Sequence, residues 1–210
     1  MSKLILAATA LSLKAVEIEA STINPIIFDT KVIPSAPGLT KHDGKYYMLD
    51  TVKNTSVEVT PEGLTKKALA DFKSGKSSFE AVTAENYGMI TKVIFEFDAD
   101  ADIKCTGMGS ISNLCKALDL KVEDVAVDPQ NEIIFSTKVV GTLSGLQKKG
   151  SDYYKLDTQK NTATLIDPNG MAKAAVADFT AGKRTDATDV AEAFCLIRKL
   201  VLVKKTGDAK

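Results

Sequence analysis

The chain has 210 residues, 44% of them hydrophobic and 26% charged, and its 27 basic and 27 acidic side chains cancel. That balance excludes the broad positive field of a nucleic-acid binder, and no apolar run approaches the ~18 residues of a membrane span. One histidine and three cysteines without paired spacing are a poor inventory for a metal site and do not suggest a disulfide scaffold, so a reducing compartment is the default.

The first apolar stretch, residues 4–11 behind Lys3, has the make-up of a short leader, but it has a counterpart deep inside the chain. Residues 3–13 are therefore read as a short helix or irregular lead-in, with no cleaved signal peptide and a cytoplasmic or virion location. Residues 15–20 alternate apolar and polar, which predicts a strand. Residues 26–33, rich in β-branched side chains, predict a second. After a polar loop, residues 46–50 and 55–59 predict a hairpin, with Tyr47 and Leu49 facing the core and Met48 facing water.

Pro61 and Gly63 have turn chemistry. Leu64, Ala68, Leu69 and Phe72 then share one face of a helix, with Gly75 suited to its C-terminal cap. A second short helix is expected around residues 78–85. Residues 87–97 read as a closing strand.

The central features return 107 residues later, and the same offset carries outward at lower similarity to residues 10–14 and 89–94. NPIIFDTKVI from Asn24 returns as NEIIFSTKVV from Asn131, and YYMLDTVKNT from Tyr46 as YYKLDTQKNT from Tyr153. Asn24 to Lys76 aligns with Asn131 to Lys183 without a gap, and 27 of 53 positions are identical. A unit this long, present twice, is a duplicated domain rather than a solenoid. The expected fold is α+β: two tandem copies, residues 1–104 and 108–210, with a short acidic linker around 98–107. Each copy has four to five mostly antiparallel strands and one or two helices, and a pseudo-twofold relates them. The second copy's last apolar run, residues 190–204, is read as strand by analogy with the first.

Motifs with chemical associations fail on inspection. Ser74-Gly75-Lys76-Ser77 resembles the end of a phosphate-binding loop, but position 70 is Ala and a helix precedes it. Asp98, Asp100 and Asp102 lack the glycine and distal glutamate of a calcium loop. Cys115 and Cys195 align with Ala8 and Gly88, which suggests packing; a bridge between them is the one pairing left open. His42 sits in a polar loop with no triad partner.

No catalytic residue, cofactor or metal is expected. The candidate contact residues are Tyr46 and Tyr153, with their strand neighbours Met48 and Lys155, because an outward tyrosine favours interfaces. A duplicated body without catalytic groups suggests a structural protein of a large homo- or hetero-oligomeric assembly, such as a phage capsid or tail component. The alternative is a small adaptor or inhibitor that grips a partner protein through the tyrosine hairpins.

Overall fold

A computed structural model describes residues 1–21, 39–50, 53–101, 105–128, 146–149, 152–157 and 160–206. Residues 26–33, expected as a strand, and their counterpart at 133–140 lie outside the described residues. The fold is α+β, and every strand pairing described is antiparallel.

Helix α1 (Lys3–Ala10) leads into strand β1 (Leu13–Ala20). Strands β2 (Leu39–His42), β3 (Lys45–Asp50) and β4 (Thr55–Val59) form a three-stranded meander, so the polar loop before Tyr46 contains a strand the sequence did not signal. Helices α2 (Pro61–Lys73) and α3 (Phe79–Asn86) follow, then β5 (Ile90–Phe97).

The same series returns as α4 (Ser110–Leu118), β6 (Leu120–Val127), β7 (Leu146–Lys149), β8 (Asp152–Asp157), β9 (Thr162–Ile166), α5 (Pro168–Thr180), α6 (Asp186–Ala193) and β10 (Ile197–Lys204). The apolar run at 190–204 is thus divided: Val190–Ala193 ends α6, and the strand begins only at Ile197.

Local chemistry accounts for the helix ends. Thr60 caps α2 by accepting from the Gly63 amide at 3.1 Å, with Pro61 behind it, where a missing N–H is harmless. Asp167 and Pro168 do the same for α5. Ser78 caps α3, and Thr185 and Thr188 form a reciprocal capping box on α6. Beyond α2 and α5, Gly75 and Gly182 take φ of +68° and +67°, the left-handed turn that releases the chain.

The two halves do not keep separate cores. Strands β1, β5, β10 and β6 form one four-stranded sheet in that order, with β5 and β10, one from each half, at its centre. Ile94 faces Val201 across that central pair, and Glu96 and Lys92 face Lys199 and Val203. Because each residue's counterpart lies 107 further on, the pairing maps onto itself about an axis between Ile94 and Val201. Buried side chains of both halves, among them Leu4, Phe72, Phe95, Ile111, Phe179 and Leu202, belong to a single hydrophobic cluster.

The cysteines depart from expectation. Cys105 is bonded to Cys195, with 5.6 Å between their Cα atoms, and Cys115 is the free thiol. Sequence spacing cannot reveal such a bridge, since it joins the crossing between the halves to the turn between α6 and β10. The cysteine argument for a reducing compartment therefore falls away. Burial pushes the Cys115 thiol up to about 11, which keeps it protonated and unreactive.

Candidate functional site

The surfaces that occur twice are the first candidates. Helix α2 lies along the covered face of β1, and its outer flank meets the end of that strand in a shallow groove of about 460 Å³. Ala20, Thr65 and Leu69 form its floor, and Glu62 and Lys66 stand at its rim. Helix α5 and β6 make a second groove of about 620 Å³ from Val127, Ala172 and Val176, with Asn169 and Lys173 at the rim. These five positions correspond one to one at the spacing of 107. The second floor is apolar and the first is apolar apart from the Thr65 hydroxyl, which donates to the Pro61 carbonyl; a lysine is common to the rims. Glu62 and Lys73 of the first groove have no charged counterparts in the second, so each lining carries one net positive charge.

The expected contact residues sit in the meanders. Tyr46 pairs with Lys41 and Val59 in backbone register, and Met48 with Leu39 and Val57. Tyr46 and Met48 therefore share one face of β3, the central strand of its meander. Tyr46, Tyr47 and Met48 are all half-buried, so β3 has no sharply inner and outer side there. Tyr153 and Lys155 take the matching places on β8, opposite Ile166 and Thr164. The two pairs lie in different sheets, so no single sheet face unites the four residues.

Two buried carboxylates were not anticipated. Glu85 on α3 is 4% exposed and accepts hydrogen bonds from the amides of Lys3 and Leu4, both at 2.9 Å, and from Ser2 Oγ at 2.6 Å. Glu192 on α6 is 1% exposed and accepts from the amides of Ser110 and Ile111 at 3.0 and 2.8 Å. Each carboxylate thus closes the N-terminus of a helix, where unpaired amides and the helix dipole favour negative charge. Burial raises the Glu192 pKa against the opposing pull of those amides.

A buried acid with a raised pKa is a frequent catalytic signature. Here both oxygens are engaged by helix amides, which makes the group a cap. One faint signal was available: across residues 78–88 and their counterparts, only Ala84 and Glu85 are identical to Ala191 and Glu192.

The other motifs resolve as structural features. The run at Ser74 is the end of α2. Asp98 lies 3.4 Å from the Lys14 ammonium, and its amide donates to the Ser12 carbonyl. His42 is exposed beside Asp43. Among the described residues no cluster of histidine, cysteine and carboxylate groups could hold a metal ion, and no helix is long and apolar enough to cross a membrane. Comparison with protein-family models, curated proteins and solved structures found no match.

Proposed function

We propose that this chain is a non-catalytic structural element of a large assembly, of the capsid or tail type, built from a duplicated unit spanning residues 1–104 and 108–210. The observation that carries the reading is the matched pair of grooves, one on each half, lined at corresponding positions. A body that presents one kind of contact twice, in two non-identical versions, can join two neighbours at once.

Two further features agree with it. The edges of the four-stranded sheet are unsuited to strand addition, which leaves helix-flank grooves as the better contact points. Glu85 and Glu192 are occupied as helix caps and supply no free acid or base.

The test is the mass of the native particle, measured by sedimentation on protein taken from its source and on purified chain at high concentration. The expected result is a multi-subunit species that Lys66→Glu together with Lys173→Glu, both at exposed rim positions, breaks into single chains. A wild-type chain that stays monomeric and carries no stable partner would defeat the proposal.

A further inference from the structure

A deeper cavity of about 540 Å³ opens between α1 and α2, over the covered face of β1 and β5. Its volume lies within the roughly 300–1,000 Å³ of small-molecule sites. The floor consists of Leu4, Leu13, Ile18, Phe72, Val93 and Phe95, each at most 6% exposed. The opening leaves core side chains within reach of a bound apolar group.

The rest of the lining is mixed, with Ile5, Ala8, Ala15 and Ala101 beside a set of polar side chains. Thr9, Ser12 and Ser74 bring hydroxyl groups, and Lys14 and Lys73 bring two ammonium groups against the single carboxylate of Asp98. One positive charge is in excess. The Lys14–Asp98 pair, at 3.4 Å and with the lysine half exposed, is the weak kind of ion pair that a competing anion can displace.

The second half is not built this way. Where the first has Ala8 and Ala15, it has the bulkier Cys115 and Val122; Thr180 replaces Lys73, and Lys205 replaces Asp98. The combination of small floor-side residues with two lysines and one acid belongs to the first half alone.

We infer that this cavity binds one monoanionic amphiphile per chain, an aliphatic carboxylate of medium length, with its chain on the apolar floor and its head group at Lys14 and Lys73. The cavity is distinct from the groove on the outer flank of α2, although Lys73 borders both.

Calorimetric titration of the full chain with decanoate and with decylamine, both below their micellar concentrations, tests this. Decanoate should saturate at one equivalent and bind at least about tenfold tighter than the amine of equal length, the discrimination that about 1.4 kcal/mol supplies. Ala15→Phe, which fills the cavity, should abolish binding while the thermal transition is retained. Lys14→Gln with Lys73→Gln should remove the preference for the acid. Methyl NMR shifts of Leu4, Ile18 and Val93 on adding decanoate to the wild type provide a readout should Ala15→Phe fail to fold. Absence of saturable binding, equal affinity for acid and amine, unchanged affinity in a folded Ala15→Phe variant, or unmoved methyl resonances would each overturn the inference.

Discussion

At Glu192 the cost of burying a charge competes with the benefit of closing a helix. Desolvation raises its pKa, and the Ile111 and Ser110 amides lower it by less. The folded chain therefore holds the Glu192 proton more tightly than the unfolded chain does. Its contribution to stability is fully present below the ordinary glutamate range and is lost as pH rises through the raised value. Glu192→Gln removes the titration, so urea midpoints of wild type and variant should diverge across that window, the wild type gaining on acidification. A constant difference would exclude the mechanism. Glu192→Ala leaves two helix amides without a carboxylate and should cost roughly 1–3 kcal/mol. Asp71 has the opposite sign. Its hydrogen bond from Ser78, with Lys67 nearby, holds its carboxyl below the usual range. Its contribution is present at neutral pH and lost as pH falls through the depressed value. Asp71→Asn should therefore destabilise the chain at pH 7 and make little difference in strong acid, as paired denaturation curves would show.

Among the elements, the edge strands β1 and β6 are the most informative. Both break register at corresponding places: the ladder skips Val16 between Ala15 and Glu17, and skips Glu123 between Val122 and Asp124. Bulges and exposed charges on edge strands oppose pairing with another chain. Lys14, Glu17 and Glu19 on β1, with Lys121, Glu123 and Asp124 on β6, supply those charges. Glu17→Thr with Glu19→Thr should raise concentration-dependent light scattering, and unchanged scattering would exclude this role for the edge charges. Helices α2 and α5 were legible because an apolar stripe, a proline start and a glycine exit all agree. The boundary between α6 and β10 was not, because Cys195 makes that turn at φ +55°, where the first half uses Gly88 at +65°. Cysteine carries no turn signal. The grooves and glutamate caps were illegible for a different reason: each joins residues from elements that meet only in the folded chain. The amphiphile cavity shares that difficulty, since its floor draws on α1, β1, α2 and β5.

At the scale of the molecule, two devices hold the halves together. The crossing segment is fixed where the Thr106 and Gly107 amides donate to the Ala10 carbonyl at 3.0 and 3.1 Å, and Cys105 then bonds Cys195 across 90 residues of chain. A bridge closing so long a loop stabilises chiefly by restricting the unfolded chain, typically by about 2–4 kcal/mol. Cys105→Ser should lose that amount, and a reductant should bring the wild type down to the variant while leaving the variant unchanged. The second device is the central sheet pair, which makes a sharper prediction. Because the β5–β10 register is self-matching about Ile94 and Val201, a second β5 could take the place of β10 with Ile94 facing Ile94. Residues 1–107 expressed alone would otherwise expose the full edge of β5, together with core side chains such as Val93 and Phe95 that β10 helps to cover. The fragment should therefore fold only as a twofold dimer, with a melting temperature that rises with concentration. Ile94→Pro, which places a residue without an amide in the pairing strand, should leave it unfolded at every concentration. A fragment that sediments as a folded monomer would mean that the shared sheet is incidental to the stability of each half.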